Sequence, residues 1–220
     1  MKISQVEFCS LFSYCPHSTT VEAEHARNYT YALKNDRSPT QIDPFLMPEY
    51  IADKLQQIIT VYPFNMLFKH NTILVPVPGH SLMKENSLWV PKRIATVLES
   101  RGWGRVFPYL YRCEPSRQSS KCLPQDRPDP QEHYDSIAIR ERDLSEPEEI
   151  LLIDDVIAQG ATVMGCANRL NDLFPKCNIR AFAAVRVISQ PDSFKKFYAP
   201  YMGVVALYPN GKAQRSDNRF

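Results

Sequence analysis

The sequence predicts an α/β fold in which helices cover a parallel sheet. Short apolar runs typical of strands alternate along the chain with segments whose apolar residues recur at helical spacing. Two of the runs, residues 73–77 and 150–153, are continuous, as expected for strands buried on both faces. A loop and then a helix pattern follow each of them, so strand–helix–strand crossovers should leave the strands parallel.

The elements are predicted in chain order from apolar spacing and from the prolines and glycines that end each pattern. Residues 1–48 show little pattern beyond a helix candidate at 26–37, and we expect them to form a small N-terminal lobe. The α/β domain is predicted to cover residues 49–210, with a frayed tail at 211–220. Within the domain we expect helix 49–62, strand 73–77, helix 87–101, strand 106–111, strand 137–139, strand 150–153, helix 162–174, strand 179–188 and strand 203–208.

The composition bounds the classes of function. The chain has 220 residues, of which 44% are hydrophobic, and this suits a globular core. Its net charge of +2 gives no general argument for nucleic-acid binding. No apolar run is long enough to cross a bilayer, and the N-terminal residues lack the apolar core of a signal peptide. We therefore expect a cytoplasmic protein without a membrane partner. Nucleic acid is a disfavoured partner, and a homo-oligomer is left open.

The six cysteines do not form a disulfide or zinc framework that can be recognised from their spacing. No C-x-x-C pair occurs among Cys9, Cys15, Cys113, Cys122, Cys166 and Cys177. Reduced, structural thiols are expected, although Cys9, Cys15 and His17 leave a metal site open.

The segment after the strand at 150–153 suits a phosphorylated sugar. Two acids, Asp154 and Asp155, precede a loop of small residues around Gly160, and a helix pattern begins at Thr162. A helix N-terminus offers unpaired N–H groups and a partial positive charge, and glycine lets an anion approach them closely. Carboxylates accept hydrogen bonds from hydroxyls and orient hydrated Mg²⁺. The alternative is an ordinary strand followed by a capping Asp, which explains one acid but not the whole spacing.

This segment resembles the phosphoribosyl-diphosphate (PRPP) motif of type I phosphoribosyltransferases, in which two acids and two apolar residues precede a loop that usually reads Thr-Thr-Gly-Ala-Thr. The resemblance implies a parallel-sheet type I phosphoribosyltransferase-like fold. It also implies that Asp154 and Asp155 contact the ribose hydroxyls and Mg²⁺. The 5-phosphate would lie in a loop formed by Ala158, Gln159, Gly160, Ala161 and Thr162. Ala158 and Gln159 replace two hydroxyl residues, and each neutral hydrogen bond lost is worth about 0.5–1.5 kcal/mol, so weaker binding is expected.

A second loop follows the strand at 73–77, whose end reads Val-Pro-Val-Pro. In the same family the loop after this strand binds pyrophosphate, and the resemblance places Gly79, His80 and Ser81 near that group. The alternative is a proline-shaped turn with a solvent-exposed histidine. The layout is similar to the competence-protein-F-like branch of the superfamily, which also has a basic segment like Leu33-Lys34 and an Arg-rich loop bearing a Gln.

The long polar segment at residues 112–135 is the candidate for that Arg-rich loop. It contains four prolines among basic residues, and a segment of this kind is usually a binding loop, a lid or disorder. Arg112, Lys121 and Arg127 are the candidate catalytic cations, because preorganised cations stabilise the charge that develops on a leaving pyrophosphate. The alternative for each is a solvated surface charge.

The function expected from the resemblance is that of a Mg²⁺-dependent phosphoribosyltransferase. It would transfer ribose 5-phosphate from PRPP to an unidentified, base-like acceptor and release pyrophosphate. Tyr29 and Tyr31 are candidates for stacking on the acceptor. Two alternatives remain open at this point: a non-catalytic module that binds PRPP or a nucleotide, and an accessory protein of DNA uptake whose basic loop contacts phosphates.

Overall fold

The computed structural model of the chain describes residues 1–38, 46–60, 63–83, 87–117, 122–123, 126–140 and 146–216. These residues form nine strands and five α-helices, with short 3-10 helices at Pro63–Met66 and Pro191–Ser193. In chain order the elements are β1 (Gln5–Tyr14), α1 (Val21–Asn35), α2 (Met47–Ile58), β2 (Ile73–Pro76), α3 (Val90–Ser100), β3 (Arg105–Val106), β4 (Leu110–Arg112), α4 (Pro130–Asp135), β5 (Ile137–Ile139), β6 (Glu149–Ile157), α5 (Ala161–Leu173), β7 (Asn178–Val187), β8 (Tyr198–Leu207) and β9 (Ala213–Ser216).

Seven of the strands form one sheet in the order β3-β2-β6-β7-β1-β8-β9. The strands from β3 to β1 run parallel, and β8 and β9 are antiparallel additions at one edge. Strands β4 and β5 pair with each other as a separate antiparallel ribbon. The fold is therefore α/β with a mostly parallel central sheet, and the predicted class is confirmed at this level.

Helices cover both faces of the sheet, because its central strands are apolar on both sides. On one face, Leu151 of β6 shares a buried cluster with Leu33 of α1 and Ile94 of α3. On the other face, Leu152 of β6 shares a second cluster with Leu170 of α5. Burial on both faces explains the continuous apolar run from which β6 was predicted.

The winding of the chain reverses between β2 and β6. From β2 the chain passes through α3 outward to β3, and from β6 it passes through α5 outward to β7 in the opposite direction. In open α/β sheets, ligands bind in the crevice outside the carboxyl ends of the strands at such a reversal. Because β2 and β6 are parallel neighbours, the loops that follow them emerge at the same edge, as predicted, and border this crevice.

The N-terminal region departs from the prediction. Residues 5–14 form β1, which pairs with β7 on one side and with β8 on the other. The prediction that this region is irregular is therefore wrong. A boundary at residue 48 does not separate two sheets, because β1 is an interior strand of the sheet that β2, β6 and β7 build.

Three smaller elements also differ from the predictions. Residues 106–111 are not one strand: they contain the end of β3 and the start of β4. Pro108 lies between the two strands and has no N–H to donate to a neighbouring strand. The segment 112–135 includes the helix α4. The chain after Asn210 is not simply frayed, because Ala213–Ser216 pair with β8 as β9.

No helix among the described residues has both the length and the apolar character needed to span a membrane.

Candidate functional site

Both acids lie inside β6, whereas the sequence predicted them just after a strand ending at residue 153. The strand continues because β7 pairs with it as far as Ile157. Its pairing with β2 stops earlier, at Ile153, and Val77 beyond the end of β2 donates one last backbone hydrogen bond to the Ile153 carbonyl at 2.9 Å. Asp154 and Asp155 therefore begin the part of β6 that has lost its neighbour on the β2 side. In open α/β sheets a ligand-binding crevice is expected at this point.

The two carboxylates have different environments. Each accepts a hydrogen bond from the next backbone N–H, Asp154 Oδ1 from Asp155 at 2.9 Å and Asp155 Oδ1 from Val156 at 2.7 Å. The Asp154 side chain is buried, and burial, followed by the charge of Asp155, holds its pKa well above the ordinary range. Asp155 is half-buried, and its Oδ2 lies 3.9 Å from Lys34 Nζ at the end of α1. The pair thus combines a buried carboxyl group with a carboxylate that borders solvent.

The predicted phosphate loop, residues 158–162, leads from β6 into α5. Gln159 is exposed, and Ala158, Ala161 and Thr162 are half-buried. Gly160 is buried at the N-cap with φ 92°, and a Cβ placed there would lie 2.6 Å from the Val205 side chain. Glycine is therefore required by the fold here, with or without a ligand. No described side chain caps α5, so its first N–H groups are not occupied by a capping residue.

The predicted pyrophosphate loop, Gly79, His80 and Ser81, is exposed beside this loop. Two of its backbone carbonyl oxygens accept hydrogen bonds. The Gly79 carbonyl accepts one from Arg112 Nε at 2.9 Å, and the His80 carbonyl accepts one from the Ser116 N–H at 2.8 Å. These hydrogen bonds use carbonyl oxygens of the loop rather than its N–H groups. No described residue accepts a hydrogen bond from an N–H group of this loop, so these donors suit an anion.

Arg112 lies in a strand and not in the predicted polar loop, so the start of that loop at residue 112 is wrong, while the catalytic role of Arg112 stays a prediction. It ends β4, its side chain is only 3% exposed, and it makes no ion pair with any described residue. Besides Gly79, its guanidinium donates to Ser136 Oγ at 2.6 Å. A side chain fixed in this way holds neighbouring groups in place rather than closing over a ligand.

The other two predicted cations give less support to a catalytic loop. Lys121 and the neighbouring Gln118 lie outside the described residues. Arg127 is half-buried, and its Nε has no hydrogen-bond partner in the part of the chain that is described. Arg117 is exposed and pairs with Glu132 of α4 at 2.6 Å, which ties the segment after β4 to that helix.

Two basic residues of the helices beside the sheet were not predicted as site residues. Lys34 approaches Asp155 from α1, and Arg93, in the first turn of α3, pairs with Asp36, which ends α1. His133 of α4 lies 3.2 Å from Thr162 through its Nε2. The only sequence signals were the basic end of a helix for Lys34 and the position of Arg93 after the β2 loop, and both occur on ordinary solvent-exposed helices.

The aromatic candidates for an acceptor site occupy different environments. Tyr31 is 60% exposed on α1. Tyr29 packs in a cluster with Phe197, Tyr50 and His25, with ring centroids 4.6 to 5.7 Å apart. The base-stacking role of either tyrosine stays a prediction.

The donor set suits magnesium better than zinc. Among the described residues no group of three or more His, Cys, Asp or Glu side chains is assembled as for a metal ion. Cys9 and Cys15 are fully buried free thiols in the apolar cluster, and His17 is exposed. Two adjacent carboxylates are hard oxygen ligands of the kind that hold Mg²⁺ together with substrate phosphates, so Asp154 and Asp155 fit that ion.

Comparison with models of known protein families found no match, and no curated protein matches the chain.

Proposed function

We propose that the protein binds PRPP at the crevice between β2 and β6 and acts as a phosphoribosyltransferase. The proposal rests on the position of the acid pair. Asp154 and Asp155 lie where β6 extends beyond its pairing with β2, between the loops that follow these two strands, at a topological reversal of the sheet. A carboxylate pair between two sources of N–H donors fits a ligand with hydroxyls in its middle and an anionic group at each end.

Each part of the site then has a role. Residues 158–162 donate N–H groups to the 5-phosphate, and residues 79–81 donate to the pyrophosphate. Asp155 accepts hydrogen bonds from the ribose hydroxyls, and Lys34 neutralises part of the charge of Asp155. Mg²⁺, held with Asp154 and Asp155, would neutralise charge on the pyrophosphate.

The reaction would exchange one bond at the anomeric carbon for another. The bond from that carbon to the pyrophosphate oxygen breaks, and the bonding electron pair leaves with pyrophosphate. A lone pair of the acceptor forms the new bond, and the proton of the acceptor passes to solvent. Preorganised donors in residues 79–81 stabilise the charge on the leaving group.

A non-catalytic PRPP-binding module is the second candidate. It is favoured by the burial of Arg112, which removes a predicted cation from the leaving group, and by Ala158 and Gln159 in the phosphate loop. Pyrophosphate release across a panel of nucleobase acceptors distinguishes the two candidates: the transferase releases it and the module does not.

Calorimetry with PRPP and Mg²⁺ tests the proposal itself. We expect wild type to bind and Asp155→Ala to lose at least tenfold in affinity, because one charge-assisted hydrogen bond is worth about 1.5–3 kcal/mol. Asp192→Asn, at an exposed acid of the Pro191–Ser193 turn, is the control and should bind like wild type. Equal binding by all three proteins would contradict the role of the acid pair, and no binding by wild type would contradict the proposal.

A further inference from the structure

A chain of hydrogen bonds beneath the crevice joins its two loops. Arg112 Nε donates to the Gly79 carbonyl at 2.9 Å, and Arg112 Nη2 lies 3.5 Å from His133 Nδ1. His133 Nε2 lies 3.2 Å from Thr162 Oγ1 in the first turn of α5. Arg112 and His133 are each 3% exposed. The chain therefore runs from the loop after β2 to the loop after β6 through two buried side chains.

The chemistry of these groups fixes the direction of each hydrogen bond. A guanidinium can only donate, so His133 Nδ1 must accept and carry no proton. Burial and the positive charge of Arg112 lower the pKa of His133 to about 4, so its ring is neutral near pH 7. The single proton of the ring is then on Nε2, which donates to Thr162 Oγ1. The proton of the Thr162 hydroxyl remains for another acceptor.

The position of α4 depends on a close contact with α5. A Cβ at Gly165 of α5 would lie 2.7 Å from His133 Cβ and 2.9 Å from the Pro130 carbonyl oxygen. Only a glycine lets α4 approach so closely. Asp129 caps α4 by accepting from the Glu132 N–H at 2.8 Å. These two features bring the His133 ring to Thr162.

We propose that Arg112 and His133 are positioning residues that turn the Thr162 hydroxyl into a hydrogen-bond donor for the terminal phosphate of a sugar phosphate. The same two residues hold the loop at Gly79 at a fixed separation from Thr162. The identity of the ligand rests on the proposed function, whereas the tautomer of His133 does not.

The tautomer is tested first, without ligand. A long-range ¹H–¹⁵N correlation spectrum of the full chain at pH 7 should show His133 with its proton on Nε2 and a bare Nδ1. An His133→Gln variant identifies the resonances. A proton on Nδ1, or on both nitrogens, overturns the proposal.

The positioning role is tested with ribose 5-phosphate by calorimetry. We expect Thr162→Val to weaken binding roughly 10- to 100-fold, as for a hydrogen bond to a charged group, and Thr162→Ser to retain most of the affinity. His133→Gln should weaken binding in the wild-type background and have no further effect in Thr162→Val. The exposed His70→Gln is the matched control, and thermal melts confirm that each variant is folded.

Each result decides one of the two claims. An equal loss from His133→Gln in both backgrounds means that the histidine acts on overall structure, and overturns the positioning role. If wild type does not bind ribose 5-phosphate, the positioning role falls, whereas the proposed function is decided by the separate titration with PRPP and Mg²⁺. The tautomer measurement still reports whether the series of hydrogen bonds through Arg112 and His133 exists.

Discussion

Asp154 is a residue that lowers the stability of the folded state. Its side chain is 9% exposed and lies beside the charge of Asp155. Lys34 lowers its pKa less than burial and Asp155 raise it, and no described residue forms an ion pair with it. A buried carboxylate without a cationic partner destabilises the native state. Residues that weaken the fold in this way are typical of functional sites.

Replacement of Asp154 by Asn should therefore stabilise the unliganded protein. The raised pKa means that the folded state holds a proton more tightly than the unfolded chain, so stability falls as pH rises above the ordinary range of Asp. We expect Asp154→Asn to gain about 0.5–2 kcal/mol at pH 8, the usual range for such changes, and to lose PRPP binding. Urea unfolding at pH 8 and pH 4 measures this. The gain should shrink at pH 4, and a variant less stable than wild type at pH 8 would contradict the account.

The sequence predicts the acid pair but not the groups that surround it. The combination of two adjacent acids with a nearby glycine, at Asp154, Asp155 and Gly160, is unusual and can be recognised from the sequence alone. The burial of Arg112 is not visible, because arginine is mostly exposed and its partners, Gly79 and Ser136, are distant in the chain.

At the scale of elements, the junction of β6 and α5 is the one that the site depends on. Gly160 combines a left-handed backbone with direct packing against Val205 of β8. Both requirements come from the fold, and they place the N-terminus of α5 beside the acid pair.

Gly160→Ala should destabilise the protein by about 2–5 kcal/mol, the sum of a positive-φ penalty and of overpacking. Gly211→Ala is the matched control, since Gly211 has φ 78° and open space where a Cβ would lie, and it should lose only about 1–2 kcal/mol. The loss from Gly160→Ala should be smaller in a Val205→Ala background than in wild type, because Val205→Ala removes the overpacked side chain and its own cavity cost is common to both members of that comparison. Denaturant unfolding measures each variant, and equal losses at Gly160 and Gly211 would contradict the packing argument.

The elements with strong periodicity were predicted and those with weak signals were not. Helices α2, α3 and α5 begin and end within a few residues of their predictions. Strand β1 was missed because buried serines, Ser10 and Ser13, interrupt its apolar pattern; they are satisfied by Arg186 and by the Lys196 carbonyl. Such partners are known only once the sheet is assembled.

At the scale of the whole molecule, β1 makes the sheet continuous. It lies between β7 and β8, and its Phe8, Leu11 and Phe12 are fully buried. The first residues of the chain are therefore part of the same core as the site, although they are far from it in sequence.

Deletion of residues 1–14 should therefore abolish cooperative folding rather than remove a separate lobe. Loss of an interior strand leaves β7 and β8 with unpaired backbone groups, and each buried unsatisfied group costs about 1–3 kcal/mol. Circular dichroism with a urea titration tests this. A truncated chain that unfolds cooperatively at the wild-type midpoint would show that the N-terminal segment is dispensable.

Backbone NMR shows most directly whether a sugar phosphate binds in the crevice between β2 and β6. On titration with ribose 5-phosphate, we predict the largest ¹H–¹⁵N shift changes at Gly160, Ala161 and Thr162, with changes at Asp155. The amide of Gly211, in the turn between β8 and β9, should not shift. Shift changes confined to other surfaces, or none at millimolar ligand, would contradict the account.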